Sequence, residues 1–244
     1  MYSEFPSVKL KNAGEGGLLV VFDNKITPRL YAQVRSFVNA LAKKKLVGIR
    51  EIVPSYCSVM VYFDVLTVTM PEMKTLAKEA LTEMEPEDTQ AYRILHVPVC
   101  YEGVLAPDME KVLRITGLTK NELLRIHTEK PFLVYTMGFS PGFPYMGDLP
   151  FSVPRLSSPR PVIPPGSVGL GGSQTGIYTV KARGEWQIIG RTPLKIFDHN
   201  RSQTFLLMPG DYVKFEKISL AAYFELRDQV AQDDYIPHLE VIEL

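Results

Sequence analysis

The chain has only two cysteines in 244 residues, Cys57 and Cys100. That is too few for a disulfide framework or a cysteine-rich metal site, and each lies in an apolar, strand-like run that reads as a buried free thiol. No stretch approaches the roughly 18–20 apolar residues of a membrane span. Met1-Tyr2-Ser3-Glu4-Phe5 has neither a basic head nor an apolar core, so no secretory signal is expected and the expected location is cytoplasmic. Net charge is missing too. Lys+Arg and Asp+Glu number 27 each, which argues against bulk electrostatic binding to nucleic acid or to an anionic membrane.

Signatures of chemistry are just as sparse. There is no Gly-x-x-x-x-Gly-Lys-Ser/Thr, and Gly169-Leu170-Gly171-Gly172 leads into strand-like sequence rather than a helix, so neither nucleotide-binding motif is supported. His96, His127, His199 and His238 are scattered without His-x-x-x-His spacing, and no dedicated metal site is expected. No Gly-x-Ser-x-Gly elbow exists, and Ser140, between Phe139 and Pro141, has no base nearby in sequence.

Regular patterning, by contrast, is plentiful. Leu18–Phe22 reads as a buried strand, and Thr27-Pro28 caps a helix whose apolar residues Leu30, Val34, Phe37, Val38 and Leu41 share one face. Lys43-Lys44-Lys45 reads as its solvated C-terminal end. Ile49–Val53 and Val59–Phe63 read as strands, and Pro71 opens a second amphipathic helix. With Tyr92–Val99 as a further strand, this order suggests an α+β N-terminal domain, an open sandwich of ferredoxin-like character, over residues 1–90. Glu83–Gln90 is the best candidate linker to a second domain over 91–244.

In that second part, Asp108 is expected to cap a short helix closed by Gly117, and Thr119-Lys120-Asn121-Glu122 is a capping box for another ending at His127, an expected dipole partner. Beyond Pro131 short strands are expected at Phe132–Met137, Ser167–Leu170, Ile177–Ala182, Trp186–Ile189, Leu194–Phe197, Phe205–Met208 and Tyr212–Ile218. Strands this short and this closely spaced imply a barrel or a sandwich. Ser219–Gln232 is a charged, helix-prone tail.

Residues 138–193 hold 10 of the 17 glycines and 9 of the 19 prolines, interleaved with apolar and aromatic residues as no linker would be. The candidate site lies here. Gly172 and its neighbours through Gly176 can bring backbone N–H groups to an oxyanion. Arg160 and Arg191 can each clamp a carboxylate or phosphoryl group, or pair with carboxylates at turns. Gln174 can read an amide by donating and accepting at once, or, with Thr175, satisfy a turn. Phe143 and Tyr145 supply a ligand wall or pack in the core.

Four motifs in this order carry a family resemblance. They are Gly138-Phe139-Ser140-Pro141-Gly142-Phe143-Pro144-Tyr145-Met146-Gly147, Pro159-Arg160 with Pro165-Gly166-Ser167-Val168, Gln174-Thr175-Gly176-Ile177-Tyr178, and Trp186–Pro193. The chain resembles the PxpB/KipI family, also called allophanate hydrolase subunit 1 or the C/D portion of the carboxyltransferase domain. Small departures are Ala106 and Thr179, where glycine and proline are common. The resemblance implies a cyclophilin-like β-barrel after the N-terminal domain. It implies a non-autonomous subunit of an ATP-dependent 5-oxoprolinase, opening 5-oxo-L-proline to L-glutamate. Expected partners are a subunit 2 (PxpC-type) protein and a LamB/YcsF-type (PxpA-type) protein, with ATP at a shared site. The expected roles are Gln174, Arg160 and Arg191 at the reacting lactam and Phe143, Tyr145, Gly172, Thr175 and Tyr178 around it. The family also contains inhibitors of a sporulation histidine kinase and halves of urea-carboxylase carboxyltransferase domains, and these remain alternatives.

Overall fold

The structure, a computed structural model, describes residues 8–24, 26–84 and 92–242. It forms two units, one within residues 1–90 and one within 91–243. Residues 85–90 of the expected linker lie outside the described residues. Among the described residues, no helix is long and apolar enough to cross a membrane.

The first unit is a four-stranded antiparallel sheet of β1 (Lys9–Asn12), β2 (Gly17–Val21), β3 (Ile49–Pro54) and β4 (Ser58–Phe63), in the order β1-β2-β4-β3. Alternation decides which face is covered: Leu18, Val20, Val59 and Val61 are fully buried. Against them pack α1 (Pro28–Lys43), through Tyr31, Val34, Phe37 and Leu41, and α2 (Met70–Thr82), through Met73, Ala77 and Ala80. Thr27 caps α1, its Oγ1 accepting from Leu30 N at 3.1 Å. α2 starts at Met70 because Thr69 and Glu72 form a capping box, Thr69 N donating to Glu72 Oε2 at 2.8 Å. Tyr92–Val99, expected to complete this sheet, does not join it. Lys9–Asn12 occupies the free edge of β2 instead, and the later strand pairs within the second unit.

The second unit contains β5 (Tyr92–Cys100), α3 (Met109–Thr116), α4 (Lys120–Glu129), β6 (Phe132–Gly138), β7 (Phe143–Met146), β8 (Arg160–Ile163), β9 (Ser167–Gly171), β10 (Gln174–Ile177), β11 (Ala182–Gly184), β12 (Gln187–Arg191), β13 (Tyr212–Ile218), α5 (Leu220–Ala231) and β14 (Leu239–Ile242). Strands β12-β9-β10-β7-β6-β13-β5 run in succession, and β12 returns to β5 at Arg191↔Cys100, closing a seven-stranded mixed barrel. β13 runs parallel to β5 from Tyr212↔Ile94 to Ile218↔Cys100. The nine residues of β5 are long enough to serve β14 at one end and β12 at the other. Every second residue, Leu95, Val97 and Val99, enters the barrel core, where Val134, Leu170, Ile177, Ile189, Val213 and Phe215 meet them. β8 and β11 form a separate two-stranded ribbon. Cys57 is half-buried and Cys100 buried; both are free thiols, and burial pushes both up.

Three expected strands are corrected. Of Ile177–Ala182, only the two end residues belong to strands, and Leu194–Phe197 and Phe205–Met208 meet in a single bridge, Phe197↔Phe205. Leu194, Ile196 and Leu207 are apolar because they plug the barrel, not because they pair. β7 escaped the sequence reading because Pro144 sits inside it, where a strand normally needs its N–H.

The opening of β13 is anchored by Asp211. Its carboxylate accepts from Arg93 Nε at 2.9 Å, makes a second contact with Arg93 Nη2, and accepts from Met208 N at 2.7 Å. Asp211→Ala should lower stability by about 2–3 kcal/mol, because it strips a half-buried guanidinium and a backbone amide of a charged acceptor. A urea-melt midpoint that does not move would show that the pair contributes nothing to the fold.

Candidate active site

Outside the barrel core, a second apolar cluster gathers Phe143 and Tyr145 from β7, Tyr178 just after β10, and Trp186 just before β12, with Ile163 and Ile188 beneath. The rings meet edge to face or tilted, Phe143 lying 5.1 Å from Tyr178, 5.4 Å from Trp186 and 4.8 Å from Tyr145 between centroids. This is the arrangement the aromatic quadrupole favours. Two glycines make room for it. A Cβ on Gly176 would stand 2.7 Å from the Phe143 ring, and one on Gly184 would stand 2.2 Å from the Tyr178 hydroxyl. Phe139 overhangs the cluster, 64% exposed, with a left-handed φ of 60°. A bulky residue seldom adopts that conformation, so the loop holds it there against local strain.

These rings line a cleft of about 300 Å³ whose mouth carries Arg155, Arg183 and Glu185. Arg155 Nη1 and Glu185 Oε2 are 4.0 Å apart and both side chains are largely exposed, so their pairing is weak and easily exchanged for a ligand. Arg183 is exposed and makes no ion pair among the described residues. Burial pushes the Tyr145 and Tyr178 hydroxyls up, so both stay protonated near neutrality, and Tyr178 also accepts from the Trp186 backbone N–H. The cleft thus offers aromatic faces for a flat group and two guanidinium groups for an anion.

Of the expected site residues, Phe143, Tyr145 and Tyr178 come together here. The others lie elsewhere. Arg160 is held by Asp108 through two bonds, Nη1 to Oδ2 at 3.0 Å and Nη2 to Oδ1 at 2.8 Å. Asp108, expected to cap α3, makes no capping bond; its buried carboxylate serves Arg160 and accepts from Ile188 N at 2.6 Å. Arg191 donates from Nε to the Pro165 carbonyl at 2.9 Å, at the barrel seam and away from the cleft. Gly172 donates its N–H to the Val153 carbonyl at 2.7 Å, so that amide is not offered to an oxyanion. Gln174 stands two residues before Gly176, on the same face of β10, but does not line the cleft; its Nε2 is shielded from water without a hydrogen-bond partner.

Thr175 points the other way, into the barrel, and is fully buried. Its Oγ1 lies 2.8 Å from His127 Nε2, while His127 Nδ1 lies 2.8 Å from the Tyr101 hydroxyl. The imidazole stacks on Phe215 at 4.3 Å, and burial holds its pKa down to about 3. His127 was expected to be a cationic partner of the α4 dipole. It is instead a neutral core residue, because the last turn of α4 faces the barrel interior and its partners are two hydroxyls. One ring nitrogen donates and the other accepts, and the two hydroxyls complete the chain.

Sequence reasoning missed Arg155, Arg183 and Glu185. Nothing in their local pattern separates them from ordinary loop charges. For Arg183 and Glu185 the only cue was their proximity to Trp186, the chain's single tryptophan; Arg155 had none.

A family model described as carboxyltransferase domain, subdomain C and D, matches residues 8–207. The chain is 34% identical over 233 residues to the B subunit of 5-oxoprolinase from Bacillus subtilis (strain 168), covering 91% of this chain and 97% of that protein. It is 38% identical over 185 residues to the protein of the same name from Haemophilus influenzae, covering 75% and 85%. Among solved structures, the Kluyveromyces lactis urea carboxylase superposes with a TM-score of 0.80 over 97% of this chain at 18% identity, a likeness of fold alone. This chain spans 24% of that one.

Two outcomes are expected. Gly184→Ala should displace Tyr178 and abolish ligand binding in the cleft while the barrel still folds; unchanged near-ultraviolet circular dichroism would show that the ring seat is not needed. Stability should also fall on acidification. Unfolded chains protonate His127 near its ordinary 6.5, folded ones only near 3. The contribution is therefore complete above pH 6.5 and declines between those values by up to about 1.4 kcal/mol per pH unit. His127→Gln should flatten this part of the profile in urea melts taken across that range.

Proposed function

The chain belongs to the family of carboxyltransferase domains, subdomain C and D, and from that premise we propose that it is the B subunit of a 5-oxoprolinase complex. The observation that carries this reading is the aromatic cleft with a cationic mouth. A five-membered lactam is flat at its amide and carries one carboxylate. Its ring lies against the aromatic wall that Tyr145, Tyr178 and Trp186 present to the cleft, and its carboxylate pairs with Arg183 or Arg155. The Tyr178 hydroxyl, protonated at neutral pH, can donate to it. In this reading the chain binds and orients the lactam for opening to glutamate.

Amide resonance makes a lactam a poor electrophile, and ATP would supply the phosphoryl group that activates it. The glycine run that might cradle a triphosphate is engaged in strand pairing, in the Val153 contact and in seating the rings. This supports placing ATP at a composite site shared with a partner. The proposed partners are a subunit 2 (PxpC-type) protein and a LamB/YcsF-type (PxpA-type) protein, working in the cytoplasm. We read the barrel as cyclophilin-like and the first unit as a ferredoxin-like sandwich in which β1 holds the place of the usual last strand. The sheet order β1-β2-β4-β3 supports this.

The test is reconstitution with both partners, following glutamate release from 5-oxoproline in the presence of ATP. Release should require this chain. Arg183→Ala and Tyr145→Ala should each reduce it by about 10²-fold with assembly intact. Equal release without this chain would overturn the assignment. Full activity in both variants would move the lactam to another surface, with Gln174 the next residue to replace.

A further inference from the structure

Away from the cleft, the edge of the barrel sheet brings together two histidines and two glutamates from three strands. His96 on β5 faces His238, which stands directly before β14; His96 N donates to the His238 carbonyl at 3.0 Å, and the two rings stack at 4.2 Å. Glu240 follows two residues later on the same face of β14, and Glu216 reaches over from β13. We propose that His96 Nε2, His238 and the Glu240 carboxylate bind a divalent transition-metal ion, zinc by preference, with Glu216 orienting His96.

The distances suit that ion. His96 Nε2 lies 3.2 Å from Glu240 Oε1, and His238 Nε2 lies 4.0 Å from the same oxygen. All three ligand atoms fall within 4.8 Å of one another. A tetrahedral site with bonds of about 2.0–2.2 Å needs ligand atoms roughly 3.3–3.5 Å apart, so small side-chain rotations close the set. Two imidazoles and a carboxylate leave the fourth position for water.

The surroundings of His96 suit a ligating histidine. Its Nδ1 lies 2.6 Å from Glu216 Oε1, and a proton held between them turns Nε2 toward Glu240 as the ligating nitrogen. A carboxylate behind a ligating histidine is the usual second layer of a zinc site. Nε2 itself is shut off from water, and Glu240, though near, is out of line for a hydrogen bond. A buried nitrogen without an aligned partner is costly, and a metal ion satisfies it. Lys214 stands opposite His96 in register and donates its ammonium to the Glu129 carbonyl at 2.5 Å. An ion here would clip β14 onto the first half of β5, at the opposite end of that strand from the barrel seam.

Cobalt(II) titration of the full, metal-stripped chain tests this. One cobalt per chain should bind with the intense visible bands of a tetrahedral centre, and zinc should displace it. His238→Ala and Glu240→Gln should each weaken binding at least about 10-fold, and Glu216→Gln by about 10–100-fold. His238 is 60% exposed, so its replacement leaves the fold intact, and circular dichroism checks this. The proposal is overturned if the spectrum stays that of hydrated cobalt, or if His238→Ala and Glu240→Gln bind as the parent does. Zinc should also raise the melting temperature of the parent and not of His238→Ala; an equal rise in both would place the ion elsewhere.

Discussion

Everything in the second unit hangs on the parallel pairing of β5 with β13. Parallel neighbours cannot be joined by a tight turn, so the chain must travel a long way between them. Arg93 and Asp211, which clasp the start of that pairing, are 118 residues apart in sequence. The helices α3 and α4, the strands β6 to β12 and the aromatic cleft all lie within that excursion. None of the barrel strands can settle its register alone, because β12 finds its last partner only on β5. Contacts this distant make for slow folding, since loop closure precedes any reward from burial. The clasp is charged, polar and partly buried, which favours one register of β13 over a slip that would turn Val213 and Phe215 out of the core.

The barrel has two chemically distinct sides, and alternation along β10 separates them. Thr175 and Ile177 look inward to the neutral histidine and the apolar core, while Gln174 and Gly176 look outward, Gly176 against the ring cluster. Charge is sorted in the same way. Arg160 neutralises the buried Asp108 carboxylate, which in turn fixes the Ile188 amide beside the cluster. Arg160 is therefore structural support for the cleft, and the guanidinium groups free to meet a ligand are those with exposed, loosely held neighbours.

Helices were legible in the sequence because their signals are local: Thr27 with Pro28, Thr119 with Glu122, and Gly117 with its φ of 71° all act within one turn. The barrel class was legible from the number and spacing of short apolar runs. Individual strands were not, since Leu194 and Ile196 are as apolar as any strand residue yet fill the barrel from a loop. The aromatic wall could be read because Phe143, Tyr145 and Tyr178 stand in a run rich in glycine and proline. Which arginines line the cleft could not be read, because Arg160 is drawn to the buried Asp108 carboxylate, which comes from another segment altogether. The His96–His238–Glu240 group was invisible for a related reason: metal-ligand spacing is sought along the chain, and these residues meet across strands.

The glycines beneath the aromatic rings have a consequence for how the cleft can vary. Its depth is set by main chain at Gly176 and Gly184, where no side chain can be added without displacing a ring. Its mouth is set by Arg155, Arg183 and Glu185, which no buried contact constrains. The floor therefore behaves as a fixed socket and the mouth as an interchangeable collar. Sequences built on this barrel can change the charge they admit without relearning how to fold.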